Sequence, residues 1–459
     1  MPRSPSRGTA CDASGCADAP LASAAPGALQ SAAAYYRCNL SVSMPGSSLP
    51  SKSNLPAGRR WAALWGPGLL VMLADCDAGN VVTAAQAGVQ WGVGPLMLLL
   101  GLVPLLYMIQ ELTVRLGIFT GRGHGELIRE HFGAGWAWLS AAGLVVAVLG
   151  SLVTEFTGVA GVGEMFGVPR AVSLPLAVAL LIAIVMTGSH KRVDKAAIVI
   201  GAFELTFFVV AWKAHPQWRG LFSHAARPAS AGAPFGYLAA ALIGATFNPW
   251  MVFYQQAAVA DKRLGPGDHR AARAETAAGA VLTQLLTGAV LVAAAATLAG
   301  DGAARALGSV GEISTALETV VGPHAARVLF GAGVLGASMV AAIVCSLALA
   351  WGLGEVAGYE RSLDDRPTRA PWFYGIYVAS VAGCAAIVWI APDLVSLNVA
   401  AQVVNALMLP LVAGLLVALA AIALPPAQRP RGAYLWVVSV AAAAVSVAGI
   451  VGAASGVWP

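Results

Sequence analysis

The residues of this chain with the means to do chemistry are few, and they sit where a plain helix would exclude them. One apolar run contains Ala74-Asp75-Cys76-Asp77-Ala78-Gly79-Asn80. A carboxylate at membrane depth costs at least about 3 kcal/mol on insertion scales, so such a residue faces a cavity, a partner or an ion. Asp77 is therefore the first residue to explain, with Asn80 placing an amide oxygen within one turn of it and Gly79 weakening the helix between them. Unwinding at this point would free backbone carbonyls, whose needs a bound cation can meet. A second run reads Gly244-Ala245-Thr246-Phe247-Asn248-Pro249-Trp250-Met251. Pro249 has no N–H and its ring crowds the carbonyl four residues back, which frees the Ala245 oxygen at the depth of the Asn248 side chain.

The elements that must hold these groups follow from composition. The 459 residues are 58% hydrophobic and 11% charged, with a mean hydropathy of +0.74, against about 25% charged for an ordinary soluble domain. That excludes a soluble enzyme. The apolar residues form runs of helix length instead of alternating segments of about ten, which excludes a membrane β-barrel. The chain reads as an all-α polytopic membrane protein with about 11 spans, roughly 63–88, 93–117, 137–165, 171–188, 194–212, 236–260, 273–299, 325–354, 372–391, 394–423 and 432–454. With the N-terminus inside, seventeen Lys and Arg fall on inner loops and six on outer ones. This agrees with the positive-inside rule and puts the C-terminus outside. The net charge of +5 then needs no nucleic-acid partner.

The interrupted spans stand first and sixth, with four between them. This is the pattern of a five-plus-five inverted repeat, LeuT-like, whose two broken helices meet at a midplane binding site. Repeat one covers about 63–212 and repeat two about 236–423, with an extra helix at 432–454, all within a membrane domain of residues 59–459. Residues 1–58 are rich in Ser, Ala, Pro and Gly without apolar periodicity and read as a disordered tail, in which Met44 offers an alternative start. Cys76, Cys345 and Cys384 lie inside spans and are expected to pack as small hydrophobes.

Several matches carry a resemblance to a known family. Asp77-Ala78-Gly79-Asn80, Gln86-Ala87-Gly88, Thr154-Glu155-Phe156-Thr157-Gly158-Val159-Ala160, Gly244-Ala245-Thr246 and Asn398 to Pro410 resemble motifs of the NRAMP divalent-metal transporters. The similarity runs from about Trp65 to Leu419. It implies a metal site made from the Asp77 carboxylate, the Asn80 oxygen, a carbonyl near Ala245 and the residue at Asn248, with Gln402 nearby. The implied partners are a divalent cation as cargo (Mg²⁺, Mn²⁺ or Fe²⁺) and the lipid bilayer. No cofactor, nucleic acid or obligate protein partner is implied, nor any enzyme activity, and no phosphate-binding glycine loop suggests ATP as a power source.

Two departures from the family pattern carry expectations of their own. The family's Met-Pro-His reads Asn248-Pro249-Trp250 here, which replaces a soft thioether by a hard amide oxygen suited to Mg²⁺, Mn²⁺ or Ca²⁺. The family's third-span Asp–Glu pair reads Leu152 and Glu155, and its sixth-span histidine is Trp250. Neither leucine nor tryptophan titrates, so proton coupling is expected to be weak or absent, Glu155 and Trp250 serving as residual proton or gating positions. The combination is similar to the divergent NRAMP-related branch associated with magnesium transport. The alternatives are an ordinary proton-coupled Mn²⁺ or Fe²⁺ symporter, a Na⁺-coupled organic solute symporter, and a membrane sensor that transports nothing.

The other polar residues have plainer readings. Glu111, Glu204 and Glu355 are expected to pair or snorkel at span ends. On a continuous helix Asp75 would point about 200° from Asp77 and could share its ion only if the chain unwinds. Gln255 and Gln256 line a pathway or bind helix to helix. His124, His131, His190 and His215 show no zinc-site spacing, and Trp250 is otherwise a packing residue.

Overall fold

The computed structural model describes residues 66–214, 233–298, 310–390 and 395–457. The tail, Met44 and His215 lie outside these described residues.

The first interruption is a true break. α1 (Pro67–Asp75) begins on a proline that needs no donor, and α2 (Ala78–Trp91) follows at an angle of 45°. α3 (Pro95–Thr120) is the second span. A short amphipathic helix, α4 (His124–Phe132), precedes α5 (Ala134–Met165), and neither the spacing nor the length of that loop in the sequence had suggested it. α6 (Arg170–Val185) is the shortest span, about 24 Å at 1.5 Å per residue. α7 (His190–Gly201) runs through a 3₁₀ stretch (Ala202–Leu205) into α8 (Thr206–Lys213) as the fifth span.

The sixth span is α9 (Ala233–Thr246) and α10 (Pro249–Asp261), interrupted at Phe247 and Asn248. The proline opens α10 at its first position, so it starts a new helix and does not kink an old one. α11 (His269–Leu298), the connector helix α12 (Val310–Val321), α13 (Pro323–Ala357), α14 (Pro371–Ile390), α15 (Val395–Ile422) and α16 (Ala433–Val457) complete the described chain. Nine of these units are long and apolar enough to cross a bilayer, the bent α1–α2 pair makes a tenth, and α6 corresponds to the fourth span expected from sequence.

The packing is paired in the way an inverted repeat requires. α5 packs along α13, and α1 and α2 lie on α11 as α9 and α10 lie on α3. The broken helices run antiparallel, with α1 against α10 and α2 against α9. This brings both breaks to the same depth. α15 closes one side, and two glycines let it approach: a Cβ on Gly79 would collide with the Gln402 amide, and one on Gly244 with the Gln402 carbonyl.

One face of the bundle is tied by polar side chains. Arg361 pairs with Glu126, Glu355 Oε2 accepts from the Gly125 N–H at 2.8 Å, Lys262 pairs with Asp194 at 2.6 Å, and Asp261 pairs with His190 at 2.8 Å. Glu111 sits beside Arg115 and Arg273 and accepts from the Tyr434 hydroxyl at 3.0 Å. Glu111 and Glu355 thus pair at span ends as expected. Glu204 does not: it is fully buried in the 3₁₀ stretch of the fifth span, and both its oxygens lack a hydrogen-bond partner. It already stood near the middle of the expected span 194–212, and in the observed span His190–Lys213 it stays well inside both ends. Cys76, Cys345 and Cys384 are buried free thiols.

Candidate functional site

The unwound stretch in the first span is two residues long. Cys76 ends α1, and Asp77 adopts an extended conformation as the N-cap of α2, its Oδ1 accepting the Asn80 N–H at 2.6 Å. A second carboxylate reaches the same helix end from α5, where Glu155 Oε2 accepts the Ala78 N–H at 3.1 Å and Oε1 the Thr154 hydroxyl at 3.2 Å. Two acidic groups at the positive end of α2 meet the amides that the break leaves unpaired. Asp77 Oδ2 keeps no partner.

Asn80 folds back across the break. Its Nδ2 donates to the Asp75 carbonyl at 3.0 Å, which leaves its Oδ1 unpartnered. In the sixth span, Asn248 caps the opposite break with its own side chain: Nδ2 donates to the Ala245 carbonyl at 3.0 Å. The carbonyl freed by Pro249 is thus held by the neighbouring amide. Asn248 Oδ1 accepts in turn from Asn405 Nδ2 at 2.6 Å, and Asn405 also donates to Gln402 Oε1 at 3.0 Å.

The six positions Asp75, Asp77, Asn80, Ala245, Asn248 and Gln402 are all buried, the most accessible being Asn248 at 2%. The atoms left without partners around the breaks are mainly oxygens: Asp75 Oδ1, Asp77 Oδ2, Asn80 Oδ1, Thr83 Oγ1 and Gln284 Oε1, with Gln402 Nε2 the nitrogen among them. Buried oxygens without a donor are costly, and a cation is one group that could meet them.

The two positions at which titrating groups of the family pattern are replaced are also here. Trp250 is fully buried and its Nε1 donates to Ser151 Oγ at 3.2 Å, joining α10 to α5. Leu152 is buried in the apolar core beside it. Gln256 accepts from His124 Nδ1 at 3.1 Å and donates to the Arg122 carbonyl at 3.0 Å, which makes it helix-to-helix glue between α10 and the α4 loop. Gln255 donates to Thr276 at 3.1 Å on α11.

Sequence reasoning passed over three contributors. Asn405 lies three residues beyond Gln402, and that i, i+3 spacing on α15 was the available signal. Glu275 accepts the Gly66 and Leu69 N–H groups, each at 2.7 Å, and so caps α1 from α11; nothing local in the sequence marks it. Glu204 was placed at a span end.

Paired broken helices at one depth, flanked by an antiparallel repeat of helices, define an all-α membrane protein of the LeuT-like five-plus-five class. The sequence profile described as "Natural resistance-associated macrophage protein-like" matches residues 68–455, and the chain belongs to this Nramp family. It is 29% identical over 395 residues to the divalent metal cation transporter MntH 1 of Pseudomonas aeruginosa, covering 81% of this chain and 84% of that one. The manganese transporter of Eremococcus coleocola superposes with a TM-score of 0.71 at 16% identity, covering 90% and 91% of the two chains. MhsT in complex with L-phenylalanine shares the fold at a TM-score of 0.58 and 13% identity, covering 85% of this chain and 98% of that one.

Proposed function

We propose that this protein carries divalent metal cations across the membrane by alternating access, with a site formed by the Asp77 carboxylate, the Asn80 oxygen, the Ala245 carbonyl and Asn248, and with Gln402 in reach. The observation that carries the reading is the set of buried, unpartnered oxygens, Asp77 Oδ2 and Asn80 Oδ1, beside the second helix break. Two curated relatives are named as divalent metal cation transporters, which supports the same cargo class. For the Ala245 carbonyl and Asn248 Oδ1 to take part as ligands, each offers the lone pair left free by its hydrogen bond, from Asn248 Nδ2 and Asn405 Nδ2 respectively.

The donors are carboxylate, amide and carbonyl oxygens. Such a set favours hard cations, and Mg²⁺ and Mn²⁺ are the cargo we infer, Mg²⁺ keeping part of its water. Proton coupling is weak in this reading, because Leu152 and Trp250 carry no exchangeable charge where a relay would need one. Membrane potential is sufficient drive, since two charges falling through 100 mV release about 4.6 kcal/mol. The face tied by Arg361–Glu126 and Lys262–Asp194 carries the basic loops, and we assign it to the cytoplasm of a plasma (inner) membrane, with the C-terminus outside.

The test is metal uptake into proteoliposomes, Mg²⁺ in competition with Mn²⁺, Fe²⁺ and Ca²⁺. Asp77→Ala is expected to abolish flux. Uptake of every metal at the wild-type rate in that variant would sink the site.

A further inference from the structure

One carboxylate at the first break has no role so far, that of Asp75. It is the last residue of α1, is fully buried, and is joined to one asparagine of the site, its carbonyl accepting from Asn80 Nδ2 at 3.0 Å. Its Oδ2 has a long contact from the Thr283 hydroxyl at 3.4 Å, and its Oδ1 has no partner. No basic side chain is among the groups that act on it. A buried carboxylate without a cation or a full set of donors is costly. The break at Cys76 also removes the 200° helical offset that would turn Asp75 away from Asp77.

We propose that Asp75 is a second carboxylate ligand of the transported divalent cation, engaging it from the α1 side of the break together with Asn248. The inference rests on the metal-carrier reading above. Asp75 and Asp77 would offer the cation a carboxylate from each side of the break, while Glu155 is held by the Ala78 N–H at the start of α2. Asp75 therefore sets a preference for divalent over monovalent cations, and it replaces by a hard, charged donor part of what a thioether at position 248 would have supplied.

The experiment is calorimetric titration of the purified full-length protein with Mn²⁺, Mg²⁺ and Cd²⁺, using Asp75→Asn, Asp77→Asn and Asp75→Cys. Asp75→Asn keeps the size and the hydrogen-bonding capacity of the side chain, and it is expected to weaken both metals at least tenfold, as Asp77→Asn does. Asp75→Cys introduces a soft ligand and is expected to raise the preference for Cd²⁺ over Mn²⁺ at least tenfold, a change that a purely structural role would not produce. If Asp75→Asn binds within twofold of wild type while Asp77→Asn loses binding, the proposal is overturned and the carrier reading stands. If neither substitution changes binding, the carrier site itself is wrong. Should Asp75→Asn fail to fold, an unchanged Cd²⁺ to Mn²⁺ ratio in Asp75→Cys overturns the proposal on its own.

Discussion

The indole of Trp250 donates a hydrogen bond to Ser151 Oγ at 3.2 Å, binding α10 to α5 one residue before Leu152. An indole N–H is a donor only and does not exchange its proton at physiological pH. The contact thus joins the two helices that a proton path would connect, without giving that path a step. In proteoliposomes, metal uptake by the wild-type protein is expected to leave the internal pH unchanged. The double variant Leu152→Asp/Trp250→His is expected to acidify the lumen during uptake, read with a trapped pH dye. Robust acidification by the wild type would refute the uncoupled reading.

Asn248 is held by Asn405 at 2.6 Å, so its side chain is oriented before any cation arrives. Replacing it with methionine presents a soft sulfur. Asn248→Met is expected to shift the Mn²⁺ to Mg²⁺ uptake ratio at least tenfold, and that of Cd²⁺ further. The substitution also removes one of the two acceptors of the Asn405 amide, leaving Gln402 Oε1, at a cost of about 1–3 kcal/mol. Asn248→Met/Asn405→Leu should recover the lost thermal stability while keeping the altered ratio. An unaltered ratio in the competition assay would remove Asn248 from the ligand set.

Glu155 acts on the backbone as well as on charge, since its Oε2 receives the Ala78 N–H. Glu155→Ala would leave that buried donor unpaired, a loss of about 1–3 kcal/mol. Glu155→Gln retains an acceptor oxygen. Melting in detergent is expected to rank wild type and Glu155→Gln close together, with Glu155→Ala clearly lower. Equal melting of the Ala and Gln variants would mean that the contact does not fix the start of α2.

His124 opens α4, outside the spans, and burial pushes its pKa down to about 4, partly opposed by its hydrogen bond to Gln256. The folded state thus favours neutral imidazole more than an unfolded chain does. Its contribution is complete above the ordinary histidine pKa near 6.5 and is lost as pH falls from there through about 4. Amide exchange across α4, corrected for intrinsic rates, is expected to accelerate between pH 7 and pH 5. His124→Asn should flatten that dependence. Equal protection of α4 at both pH values in the wild type would remove the effect.

By itself, the sequence determined what depends on composition and on single residues. Runs of apolar residues imply the spans, because a helix must bury about 20 residues to cross hydrocarbon. Proline and glycine mark the interruptions, because a missing N–H or a missing Cβ acts locally. Asp77, Asn80, Ala245 and Asn248 were legible for that reason. Tertiary structure alone decided which groups meet. The break at Cys76 and Asp77 brings the Asp75 carbonyl to Asn80, and packing buries Glu204 without a hydrogen-bond partner. Asn405 and Glu275 also act on residues 157 and more than 200 positions away in the chain. Hydrogen bonds between distant helices leave no periodic trace in a sequence. They are set by how the two halves of the repeat pack, and that packing buries Asp77 Oδ2 and Asn80 Oδ1 without a hydrogen-bond partner.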